Sequence, residues 1–226
     1  MKTLMMKQRL YKGKRLLLSF IYPNRCGFCE KLISYSDYYC QNCYQELELC
    51  NDKVSINNID RAICICYYKD IAKKAVIELK DQNNGYAVST AAKLMSDKLN
   101  SLNVNADFLI PVPISKEKRV KRGYNQSLLL AKEIAVLSDI EVKNNVLFAK
   151  EHLQQKYLTK SQRQENTKNS FYIRNTLSIK GKTIILVDDV VTTGSTLDYL
   201  ALLLKKGGAS QVLALVFAKT PMDNSH

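Results

Sequence analysis

Apolar residues along the chain fall into short runs and longer periodic stretches. The runs at 62–68, 108–113, 184–187 and 212–217 read as strands, the second stopped by its own prolines. The stretches 71–80, 86–99, 124–137 and 197–206 read as helices, 86–99 by the spacing of its Ala, Leu and Met residues. Leu128, Ala131 and Ala135 mark the expected inner face of the third. A turn is expected at 81–85, and Gly207-Gly208 caps the last helix. Alternating strands and helices predict an α/β fold, a mostly parallel sheet with crossover helices. Ligands of such sheets sit beyond the carboxyl ends of the strands.

The run 184–196 carries the most chemistry. Four apolar residues lead into Asp188 and Asp189, as in a strand buried on both faces that ends in paired carboxylates. Val190, Val191, Thr192, Thr193 and Gly194 follow, then Ser195 and Thr196. Gly194 permits the positive φ and close backbone approach of a phosphate-cupping turn. The helix expected from 197 puts the turn's N–H groups at a helix N-terminus, where anions bind. The residues therefore suit a ligand with two different ends. Thr192 to Thr196 would hold a phosphate, and Asp188 and Asp189 would accept hydrogen bonds from a vicinal diol. A ribose 5-phosphate unit has both.

Four of the seven cysteines form two pairs, Cys26-Gly-Phe-Cys29 and Cys40-Gln-Asn-Cys43. Two CxxC pairs this close are the pattern of a tetrahedral structural zinc site, and four thiolates leave no open position for catalysis. The linker between them, with Tyr35, Tyr38 and Tyr39, is long enough for a small hairpin. Cys50, Cys64 and Cys66 lack ligand spacing and read as buried small residues. His152 and His226 are remote from the cluster in sequence.

The net charge of +13 is high for 226 residues and favours polyanionic partners. Lys116, Lys118, Arg119, Lys121 and Arg122 cluster just before Tyr124, a basic track beside an aromatic ring, as in single-strand nucleic-acid binders. No stretch is long enough to span a membrane. Lys2, Lys7, Arg9, Lys12, Lys14 and Arg15 precede a short apolar run at 16–22, but no small-residue cleavage site follows. We read this segment as a basic helix packing on the next module, in a cytoplasmic protein with scope for peripheral membrane contact.

The 184–196 run resembles the phosphoribosyl pyrophosphate (PRPP) loop of type I phosphoribosyltransferases. Further motifs narrow the resemblance. Pro111-Val112-Pro113, Arg119 and Arg122-Gly123-Tyr124-Asn125-Gln126 resemble an element of the ComF family. Gln155, Leu158, Arg163, Asn166 and Phe171 keep that family's spacing, and Tyr22-Pro23 leads into the CxxC pairs as in a ComF N-terminus. The resemblance covers roughly residues 16–218. The chain itself divides into a basic N-terminal helix (1–22), a zinc module (23–50), an α/β domain (51–218) and a tail (219–226), and the resemblance makes the third a type I phosphoribosyltransferase-like domain. The resemblance also implies that Asp188, Asp189, Val190 and Thr192 to Thr196 bind PRPP, with magnesium held largely by the ligand's own oxygens. Lys80 and Arg122 would face the pyrophosphate. Lys150 and His152 depart from the family's usual Arg and Thr, and Lys150 loses the bidentate fork a phosphate favours. The expected role is uptake of transforming DNA, acting on single-stranded DNA beside the competence helicase and the inner-membrane uptake machinery. The phosphoribosyl acceptor is not implied. Competing readings are a single-stranded DNA-binding module on an inactive transferase fold and a nucleobase-salvage enzyme.

Overall fold

The computed structural model describes residues 10, 13, 15–18, 20–52, 54–80, 84–150 and 170–221. Outside them lie His152, His226, the motif positions Gln155 to Asn166, and the N-terminal basic residues except Arg15. Seven strands are described: β1 (Arg61–Tyr67), β2 (Phe108–Pro111), β3 (Glu141–Val142), β4 (Leu147–Ala149), β5 (Phe171–Ile173), β6 (Thr183–Val191) and β7 (Gln211–Lys219). The described helices are α1 (Gln41–Glu46), α2 (Asp70–Leu79), α3 (Gly85–Ser101), α4 (Lys116–Arg122), α5 (Gln126–Ser138) and α6 (Ser195–Lys206). The main sheet has the order β1-β7-β6-β2-β3, with every pairing parallel. β4 and β5 form a separate antiparallel pair.

Alternation along the central strands divides the core in two. Ile185 and Val187 of β6, with Leu213, Leu215 and Phe217 of β7, face α2, α3 and α5. Ile184 and Leu186, with Val212, Ala214 and Val216, face α6 and the β4–β5 pair. α6 buries Leu197, Leu200, Ala201 and Leu204, the spacing of one helical face.

The sequence reading differs from the structure at several points, the short strands β3, β4 and β5 among them. β6 does not stop at the acids but pairs with β7 as far as Val191↔Lys219. The basic cluster forms a short helix, α4, capped by Gly123 at φ +80°. α5 starts at Gln126 and turns Ser127, Leu130, Ala131 and Ile134 inward, while Leu128 and Ala135 are only half-buried. The linker between the cysteine pairs makes turns rather than a hairpin. Asn24 Nδ2 donates to the carbonyls of Ser34 and Asp37, meeting backbone needs a ladder would otherwise meet.

The cysteine-rich segment packs into the main core. Phe28, 2% exposed, joins Met95, Leu99 and the β-sheet residues in one cluster with Cys26, Cys43 and Leu47. Asn84 caps α3 and donates through Nδ2 to Glu30 Oε1 (3.2 Å) and Glu78 Oε2 (2.6 Å). Arg15 lies 3.8 Å over the Tyr38 ring. Cys50, Cys64 and Cys66 are all buried, as expected, and the Cys66 thiol donates to the Phe217 carbonyl.

Candidate functional site

A cavity of about 480 Å³ opens beyond the carboxyl ends of β2 and β6. Among its walls are Lys80, Arg122, Asp188, Asp189, Thr192 and Thr196. Val190 and Lys150 also line it; Thr193, Gly194 and Ser195 form the turn between the two threonines. Sequence-distant candidates therefore meet at one place.

Asp188 is held by Ser127, whose Oγ donates to Asp188 Oδ1 at 2.9 Å, and by the Asp189 N–H at 3.0 Å. Asp189 is buried, and its Oδ2 accepts no hydrogen bond from the described residues. Among the described residues its ion-pair partner is Lys80, whose Nζ stands 3.4 Å away without hydrogen-bond geometry. A buried carboxylate oxygen without a donor is costly unless a ligand supplies one. A ribose hydroxyl would satisfy it, so the donor set fits the ligand expected from sequence.

Desolvation first, and the adjacent Asp189 carboxylate second, push the Asp188 pKa up to about 8. The native state thus holds a proton that the unfolded chain releases near pH 4, so stability falls as pH rises from about 4 to about 8. Asp188→Asn removes that slope. At pH 8 we expect the variant to melt at least about 3 °C above the parent, and at pH 5 the gap to narrow, as read by thermal unfolding.

The turn after β6 shapes the other side of the cavity, where Thr192 and Thr196 are walls. Gly194 adopts φ +77°, and a Cβ there would stand 3.0 Å from Ile56. Gly194 gives α6 no side-chain cap; the Ser195 N–H donates to Thr193 Oγ1 at 3.4 Å, and the N–H groups that follow in the first turn can serve a ligand. Asp198 holds the Asn58 backbone N–H (2.9 Å) and side chain (2.7 Å), fixing the segment that carries Ile56.

The 122–126 element organises the cavity. Tyr124 Oη donates to the Leu79 carbonyl at 2.8 Å, next to Lys80. Asn125 Nδ2 donates to the Val112 carbonyl, and its Oδ1 caps α5. Gln126 Oε1 accepts from Arg122 Nη1 at 3.0 Å. Ser127 was missed by the sequence reading, although it follows this element directly.

The four cysteines of the CxxC pairs bring their Sγ atoms within 4.8 Å of one another. Cys29 and Cys40 Sγ are 3.8 Å apart, close to the edge of a tetrahedron with metal–sulfur bonds of about 2.3 Å. The Cys40 N–H points at Cys26 Sγ (3.3 Å), a donor suited to a thiolate. A hydrogen bond from the Cys43 backbone is the main factor drawing the Cys40 thiol down to about 7, and burial pushes Cys29 and Cys43 up. The set fits zinc, and metal entry must displace the protons of the raised pair.

Residues 127–225 match the family described as phosphoribosyl transferase domain. The chain is 28% identical to competence protein F of Haemophilus influenzae over 195 residues, 83% of this chain and 81% of the relative. It is 30% identical to competence protein ComFC of Bacillus subtilis over 157 residues, 68% and 62% of the two chains. It is 33% identical to DNA utilization protein YhgH of Escherichia coli K12 over 115 residues, half of each chain. The parallel sheet, the four-cysteine cluster and these likenesses agree. The chain has the type I phosphoribosyltransferase fold with an N-terminal cysteine module and belongs to the ComF family.

Proposed function

We propose that the cavity binds PRPP with magnesium, and that the protein acts on single-stranded DNA in natural competence. The observation that carries the first part is the buried Asp189 Oδ2, without a hydrogen-bond donor, set beside Lys80. In this reading Asp188 and Asp189 accept the ribose hydroxyls. Thr192 to Thr196 and Val190 cup the 5-phosphate at the start of α6. Lys80 and Arg122 neutralise the pyrophosphate, and Lys80 leaves Asp189 to do so. Magnesium, when bound, would spread the charge of the diphosphate; the chain's own part is to position and neutralise. Zinc in the four thiolates would be structural.

The DNA part is supported by the relatives' names, competence protein and DNA utilization protein, and by the charge of +13. Among the described residues no helix is long and apolar enough to cross a membrane, so contact with an uptake apparatus would be peripheral. The exposed basic surface of α4 also favours a second reading, a DNA-binding module whose transferase site is inactive.

Calorimetric titration of PRPP and magnesium into the zinc-loaded chain separates the two. We expect binding that weakens at least about 30-fold in Asp188→Asn/Asp189→Asn, from the loss of two hydrogen bonds of about 1 kcal/mol each. Absence of binding in the parent protein would leave the second reading alone.

A further inference from the structure

A second groove of about 480 Å³ lies against the first, and the two share Pro113, Ile114 and Ala149 as walls. Its chemistry is different. α4 contributes Lys116 and Arg119, the β4–β5 pair contributes Phe148, and Asn144 adds an amide.

The β4–β5 pair separates an inner face from an outer one. Register places Ala149 opposite Phe171, and both line the Asp188 cavity. Phe148 lies opposite Tyr172 on the other face. Their rings stack with centroids 5.4 Å apart and planes 16° from parallel. The Arg174 guanidinium stands 5.4 Å from one ring and 5.1 Å from the other. Neither ring is buried in the core, so the stack is half-open to solvent.

We propose that this groove is a track for single-stranded nucleic acid, one base packing on Phe148 and adjacent phosphates meeting Lys116 and Arg119. A free base would need the aromatic surface and the amide but not the cations. A folded acidic protein would need the cations but not a ring backed by a second ring. Their combination at one groove matches a base joined to a charged backbone. Among the described residues, α4 buries none of its own, and Lys116 to Lys121 are exposed. Because the groove shares Pro113, Ile114 and Ala149 with the cavity read above as the PRPP site, a strand lying in it would run beside that site's rim. The track rests on the single-stranded DNA half of the proposed function, and this last step rests on the PRPP half as well.

The test uses the zinc-loaded full chain and a fluorescent thymidylate dodecamer, followed by anisotropy, with PRPP and magnesium titrated separately. Lys116→Gln/Arg119→Gln, on an exposed helix, is expected to weaken the dodecamer and flatten the slope of log affinity against log salt by about 1.4, roughly 0.7 per phosphate contact. Phe148→Ala is expected to weaken it roughly tenfold, and Phe148→Tyr to retain affinity. PRPP binding should be unchanged in all three. Unaltered dodecamer affinity in the charge pair and in Phe148→Ala would overturn the proposal, whatever PRPP does. Thymidine monophosphate binding as tightly as the dodecamer would overturn it too, since the groove would then be a base pocket. Were Phe148→Ala to lose PRPP as well, the charge pair alone would decide. Strand binding that depends on these residues in a chain that does not bind PRPP would uphold the groove and remove the PRPP reading.

Discussion

Cys43→Ser, or chelation of the zinc, is expected to destabilise the whole chain rather than loosen a peripheral module. Cys43 is 6% exposed and belongs to the same apolar cluster as Phe28, Met95, Leu99 and the inner face of β7. Structural zinc contributes about 10–16 kcal/mol in isolated finger peptides, and that energy is folding energy because the unfolded chain has no preformed site. Part of it is retained by the burial of Phe28 itself. We therefore expect a loss of at least about 4 kcal/mol and a fall in melting temperature of roughly 10–15 °C. Calorimetry should show one transition that moves as a unit. Two separated transitions, with the higher one unmoved, would show that the cysteine segment folds on its own.

Gly27→Ala is expected to be nearly as damaging, for a steric reason. The glycine lies between the first two cysteines and against α3. A Cβ there would stand 2.5 Å from the Tyr86 carbonyl oxygen and collide with Thr90 Oγ1. Thr90 cannot simply rotate away, because its hydroxyl donates to the Tyr38 carbonyl. The Tyr86 oxygen is backbone and cannot yield without moving the first turn of α3. Overpacking of this kind costs about 3 kcal/mol, and it should also weaken zinc by displacing Cys26 and Cys29. Denaturant unfolding and competition with a chromogenic chelator measure the two effects. Thr90→Ala/Gly27→Ala, which removes the hydroxyl oxygen, should recover little, since the carbonyl clash persists; full recovery would assign the contact to Thr90 Oγ1 alone.

The parts of the fold read correctly from sequence are those with a dense local signal. The strand leading to Asp188 is apolar on both faces, and α6 repeats leucine at helical spacing, so both could be placed from 184–206 alone. The cysteine cluster was legible because metal ligands need fixed spacing. α4 was missed because its residues are almost all charged and its one large apolar side chain, Val120, is 78% exposed, so no periodicity marks it. β3 and β4 have two and three residues, too few to show alternation. The inner face of α5 was misjudged because its N-terminal turn buries Gln126 and Ser127, polar residues turned toward the cavity. Ser127 itself carries no local signal. It reaches Asp188 only because α5 packs against a strand 61 positions away in sequence.

The bridging role of Asn84 bears on how this architecture can be recombined. One amide serves Glu30, in the first cysteine knuckle, and Glu78, two residues before Lys80. A chimaera joining the cysteine segment of one relative to the sheet of another would bring a foreign side chain to Glu30 while keeping the resident Asn84 and Glu78. The mismatch would fall next to the lysine that faces Asp189. The seam between the two halves is therefore best cut after α3, not before β1, so that knuckle, cap and lysine are inherited together.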